Sequence, residues 1–73
     1  QMELNRLNTI FKKTFKIKKI SKKNSSRSSN KKWDSLKHIE LISEIEYSFK
    51  IKLKDHELNF KSLENIKKIL EKK

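Results

Sequence analysis

Residues 31–49 read KKWDSLKHIELISEIEYSF, and the order of their apolar positions decides the fold class. Placed at about 100° per residue, Leu41, Ile42, Ile45 and Phe49 fall on one helical face, with His38 in its middle. Leu36, Glu40, Ser43 and Tyr47 line the opposite face, flanked by Ile39, Glu44 and Glu46. The first set is a core stripe. The second interleaves apolar residues with carboxylates on the side that should meet water, and it reads as a docking surface. Asp34 or Ser35 can cap the first turn, where negative charge suits the helix dipole. Four acids (Asp34, Glu40, Glu44, Glu46) gather around and behind Ser35 in a chain whose formal charge is +11.

Working outward, residues 2–20 carry Leu4, Leu7, Ile10, Phe11, Phe15 and Ile17 at steps of three and four, with lysines opposite. That spacing predicts a helix over 2–18. Its apolar stripe suits a core better than an anionic membrane surface, because the other segments also need something to pack against. Residues 21–32, SKKNSSRSSNKK, hold no apolar residue. Serine and asparagine bond their own backbone in competition with helix, so a long solvated loop is expected over 19–34. Such a length marks a loop as functional or disordered. The central helix then spans 35–49. Ile51 and Leu53 alternate with lysines through KIKLK, but a lone strand has no partner, so extended loop is expected. Asp55 is expected to cap a short helical turn over 55–59, with Leu58 and Phe60 pointing inward. Ser62 opens a last helix, 62–71, with Leu63, Ile66, Ile69 and Leu70 as its stripe and lysines at its C-terminal end. The fold class expected is all-α: a small three- or four-helix up-and-down bundle, one domain over 1–73, with a long loop between helices 1 and 2.

With 73 residues and no cysteine, the chain can build one thin core with neither disulfide nor thiolate metal site. No apolar run approaches the roughly 20 residues of a membrane span, and no signal-peptide pattern opens the chain, so the expected location is the cytoplasm. Lysine contributes 18 of the 20 cations, and glycine, proline, alanine and valine are all missing. Lys, Ile, Asn, Phe and Tyr, whose codons are AT-rich, make up 38 of the 73 residues. Genome composition therefore supplies much of the lysine, and nucleic-acid readers more often use arginine. Net charge bears on partners rather than on fold.

Hydrolytic chemistry has no support. His38 lies three residues from Ser35, but the wheel turns it to the core face, where a satisfied histidine is expected; His56 is expected to be exposed. No glycine exists to build an oxyanion turn or a phosphate loop. Two histidines 18 residues apart, without cysteine, make no metal site. What is left is a serine hydroxyl at a helix start, held behind a long loop and followed by an acidic-apolar face.

Asp34-Ser35-Leu36, followed by IELISEIEYSF, resembles the modification site and second helix of acyl carrier proteins. The resemblance covers residues 33–70: Phe49 closes the helix and Leu53–Asp55 matches the turn into the third. The triplet alone is common, whereas DSL opening a helix that carries ELI soon after and ends in Phe is specific. The resemblance implies that the chain is not itself an enzyme. It implies that Ser35, between Asp34 and Leu36, is the covalent attachment point of 4′-phosphopantetheine, whose thiol carries acyl or aminoacyl groups as thioesters. The implied partners are a phosphopantetheinyl transferase, an acyl-loading ligase or acyltransferase, and downstream biosynthetic enzymes. They would meet Leu36, Ile39, Glu40, Ser43, Glu44, Glu46 and Tyr47. A monomer is expected, with no specific nucleic acid.

Several positions depart from that pattern. Lys32 and Trp33 stand in place of glycine-containing residues, Lys37 and Tyr47 where acids are common, and Lys54 where proline is frequent. The family is usually acidic. These departures point away from housekeeping fatty-acid synthesis and toward a stand-alone carrier of a specialised pathway. Two other readings stay open: a small basic nucleic-acid-binding helical module, and a carrier homologue that has lost its arm. Against the first, the central helix that would enter a groove carries three glutamates.

Overall fold

The computed structural model describes residues 4–73 and folds them into a small all-α bundle. Helix α1 spans Leu4–Phe15, α2 Ser35–Phe49 and α3 Leu63–Glu71, with a single 3₁₀ turn at Asp55–Glu57. No strand occurs among the described residues; 51–54 belong to no regular element, and Lys54 is extended (φ −78°, ψ 160°). The radius of gyration is 11.2 Å, the roughly 11 Å of a fully compacted chain this long. No helix among the described residues is long and apolar enough to cross a membrane.

The central helix keeps its expected bounds, 35–49, because its ends are chemically marked. Asp34 takes the N-cap role, its Oδ1 accepting from the Lys37 amide at 2.8 Å, so Ser35 is the first helical residue instead of the cap. At the far end Lys50 adopts a left-handed conformation, φ 54°, and Ile51 N–H reaches back to Glu46 O. Helix α1 stops earlier than the expected residue 18. Lys16 is left-handed too, φ 54°, and the Ile17 and Lys16 amides return to the Lys12 and Lys13 carbonyls. Glycine is the usual occupant of such a C-terminal position; a chain without glycine uses lysine. The expected start at residue 2 lies outside the described residues.

The last helix begins one residue late because Ser62 is its N-cap, accepting from the Asn65 amide at 3.1 Å. Asp55 does not cap its turn. Lys54 occupies that position, and the Glu57 carboxylate closes the turn by accepting from the Lys54 amide at 2.8 Å. The turn is correspondingly short, three residues where five are expected over 55–59.

The core draws on every segment. Leu7, Ile10, Phe11 and Phe15 of α1 meet Leu41 and Ile45 of α2 and Leu63, Ile66 and Leu70 of α3, with Leu53 and Phe60 from the connection. Trp33, treated above only as a departure from a pattern, is buried at the centre. Its ring lies 5.6 Å from Phe11, 5.3 Å from Phe15 and 6.2 Å from Phe60. Aromatic pairs at these separations contribute about 0.5–1.5 kcal/mol each beyond area burial. In so small a chain that is a substantial share of net stability.

The long loop is ordered. Asn30 is buried; its Nδ2 donates to Asn24 O at 2.8 Å and its Oδ1 accepts from Lys32 N at 2.9 Å. Ser26 and Ser62 form an isolated antiparallel bridge, with Arg27 N–H donating to Lys61 O and Leu63 N–H to Ser25 O. The serines and asparagines that keep this stretch from being helical thus supply the bonds that fix it.

Candidate functional site: the start of helix α2

Three interactions around Ser35 hold the start of α2. Asp34 caps it from within the chain. On the core side, Trp33 Nε1–H donates to His38 Nδ1 at 2.9 Å. An indole nitrogen can only donate, so Nδ1 is an acceptor and the proton sits on Nε2. Nε2–H then donates to Leu58 O at 2.7 Å. His38 is thereby a satisfied core histidine, as its wheel position suggests, and it joins the residue before the helix to the connection after it. On the third side, Lys32 Nζ donates to the last carbonyl of α1, Phe15 O, at 3.3 Å.

Ser35 itself is exposed, and its hydroxyl makes no hydrogen bond among the described residues. The amides of Ser35 and Leu36 open the helix and so have no intrahelical partner, while Asp34 occupies the Lys37 amide. The hydroxyl therefore stands beside two free N–H groups at the positive end of a helix dipole. That environment favours a phosphate ester over a neutral hydroxyl.

The rest of the outward face follows the wheel in part. Leu36 is 72% exposed, Ile39 60% and Tyr47 83%, three large apolar side chains on one small helix. Glu40, Ser43 and Glu44 are exposed beside them. Lys37, which stands where an acid is common in carriers, pairs with Glu40 at 3.2 Å. Lys13, Thr14 and Lys16 of the α1 end share a cleft with Lys37, Glu40 and Glu44, so the acidic face borders lysines directly. Glu46 is different. It is half-buried, and its carboxylate accepts from the Leu53 amide at 2.8 Å, pinning the connection that follows α2.

Sequence reasoning passed over Trp33, Asn30 and Lys32. The signal for Trp33 is its place five residues before a histidine on the core face. For Asn30 and Lys32 no local pattern announces the contact, because each reaches a backbone atom that only the fold brings near. His56 is exposed, and no group of His, Asp or Glu among the described residues could hold a metal ion. Compared with known proteins, the chain matches no family model, no curated protein and no solved structure.

Proposed function

We propose that the chain is a carrier whose Ser35 accepts 4′-phosphopantetheine and whose α2 face is read by partner enzymes. The observation that carries the reading is the exposed, unengaged Ser35 hydroxyl directly after an aspartate N-cap, with Leu36, Ile39 and Glu40 exposed in the next turn. Ser35 acts only as an acceptor: its hydroxyl proton would pass to the transferase's base, and its oxygen would take the phosphopantetheinyl phosphate from coenzyme A as the pyrophosphate bond breaks and adenosine 3′,5′-bisphosphate leaves. The Ser35 and Leu36 amides face the negative charge so created. When attached, the arm supplies a thiol for thioester transport. Magnesium, coenzyme A and the base belong to the separate transferase. Leu36 and Ile39 provide the apolar centre of the contact, and Glu40 and Glu44 steer partners bearing Arg and Lys. The partners are that transferase, a loading ligase or acyltransferase, and downstream enzymes of a specialised biosynthesis.

Incubation with a promiscuous phosphopantetheinyl transferase and coenzyme A, followed by intact mass, tests the reading. One arm should add to the wild type and none to Ser35→Ala. No mass gain, or a gain that persists in Ser35→Ala, removes it.

A further inference from the structure

The +11 charge is not spread over the molecule. Residues 12–32 hold ten of the 20 cations and none of the nine carboxylates. The other 52 residues set ten cations against nine carboxylates, leaving +1. Compositional drift toward lysine raises lysine everywhere and does not clear acids from one segment. The structure then gathers that segment into one body. Lys32 Nζ on Phe15 O joins its two ends, so residues 16–31 form a closed loop packed by its own asparagines and serines. The bridge at Ser26 and Ser62 ties the loop to the start of α3. Lys16, Lys18, Lys19, Lys22, Lys23, Arg27, Lys31 and Lys32 are all exposed on it. A hydrogen-bonded, strongly cationic loop results, bordered at the α1–α2 cleft by Glu40 and Glu44.

We propose that this loop is an electrostatic docking surface for the anionic phospholipid headgroups of a membrane surface. The loop lacks what other polyanion partners need. Ile17 and Ile20 are partly buried against the core, so little apolar surface is left on it to anchor a protein partner. Among the described residues its length from Lys16 onward is turn, bend and irregular backbone with the one bridge at Ser26, and no helix to enter a nucleic-acid groove. It offers no exposed aromatic for stacking, since Trp33 and Phe15 are buried. Its cations are lysines apart from Arg27, strongly hydrated point charges that suit diffuse attraction rather than base or bidentate reading. Each Lys or Arg near an anionic leaflet contributes about 1 kcal/mol of attraction, so a cluster of this size draws a protein reversibly to such a surface. The docking does not depend on Ser35 being modified.

Co-sedimentation with phosphatidylcholine vesicles, with and without phosphatidylserine, tests the assignment. The protein should partition onto the anionic vesicles at about 0.15 M salt, be released at high salt, and ignore the neutral ones. Each lysine near such a surface is worth about fivefold in partitioning. Lys18→Gln/Lys19→Gln/Lys22→Gln/Lys23→Gln should therefore weaken binding by roughly several hundredfold, and the corresponding Glu variant by more. These side chains are exposed, and circular dichroism should report an unchanged fold. Lys52→Glu/Lys54→Glu/Lys68→Glu/Lys72→Glu makes the same change of net charge elsewhere as that Glu variant and should retain most of the binding. Equal loss in both quadruple Glu variants would assign the effect to net charge and overturn the loop. Tighter binding to a duplex DNA or a structured RNA than to anionic vesicles at the same salt would replace lipid by nucleic acid. Failure to bind either would reduce the loop to a solvated surface. Ser35→Ala should bind vesicles as the wild type does, so this result stands or falls separately from arm loading.

Discussion

The Trp33 indole N–H donates to His38 Nδ1 at 2.9 Å, and this buried pair brackets Ser35 from the core side. The bond turns a tryptophan that precedes the helix and a histidine in its first turns into one unit. His38 then passes the restraint on to Leu58 O at 2.7 Å. Ser35 is exposed on a helix start whose buried side is fixed twice.

Trp33→Phe keeps a ring in the aromatic cluster but removes the indole donor to His38 Nδ1. Leaving that buried nitrogen unsatisfied should cost about 1–3 kcal/mol in chemical denaturation. Nitrogen-15 shifts of the wild-type imidazole should show the proton on Nε2; a proton on Nδ1 would refute the arrangement.

Lys16 and Lys50 sit in the left-handed region, each at φ 54°. A Cβ there costs roughly 1–2 kcal/mol, part of which glycine loses again through its freer unfolded chain. Lys16→Gly and Lys50→Gly should each stabilise the fold by about 0.5–1 kcal/mol, seen as a rise of a few degrees in Tm. A fall in Tm for either would place the two backbones elsewhere.

The carboxylates of α2 should separate by role. Glu40→Lys and Glu44→Lys change exposed charge and should leave the unfolding free energy within about 0.5 kcal/mol of wild type, while slowing arm loading or downstream transfer. Glu46→Lys removes the acceptor of the Leu53 amide and should destabilise the fold by about 1–3 kcal/mol. Unchanged loading rates in the first two would make their carboxylates ordinary surface charge.

Glu57 accepts from the Lys54 amide and from Lys73 Nζ, each at 2.8 Å. The backbone bond first, then the Lys73 bond, holds its pKa below the usual carboxylate value. A depressed folded-state pKa contributes stability that is present above the ordinary carboxylate range and lost as pH falls through the folded value. Glu57→Gln should therefore flatten the acid limb of a Tm-versus-pH curve and leave its neutral region nearly parallel to wild type. An acid limb of unchanged steepness would show that other carboxylates set it.

Much of this molecule is local. The period of three and four in α1, α2 and α3, the helix start at Ser62, and the outward Leu36, Ile39 and Tyr47 all follow from side chains spaced along one helix, and a sequence displays that spacing directly; the choice of Asp34 over Ser35 as the cap of α2 came from the structure. The core histidine followed from the same wheel. Other features are set by contacts between segments distant in sequence. The burial of Trp33 depends on Phe11, Phe15 and Phe60 converging on it, and the order of the polar loop on Asn30 reaching Asn24 and on Lys61 and Leu63 running beside Ser25 and Arg27. Glu46 looked like its neighbours on the wheel, yet the chain after α2 folds back to place the Leu53 amide on its carboxylate. Lysines at the left-handed positions were equally silent, because a chain without glycine gives no mark where its helices turn back. The sequence by itself determined which faces exist, since helical periodicity is a property of one segment. Tertiary structure alone decided which polar groups are buried and joined, because a hydrogen bond needs its partner within about 3 Å and nothing short of the whole fold sets that distance.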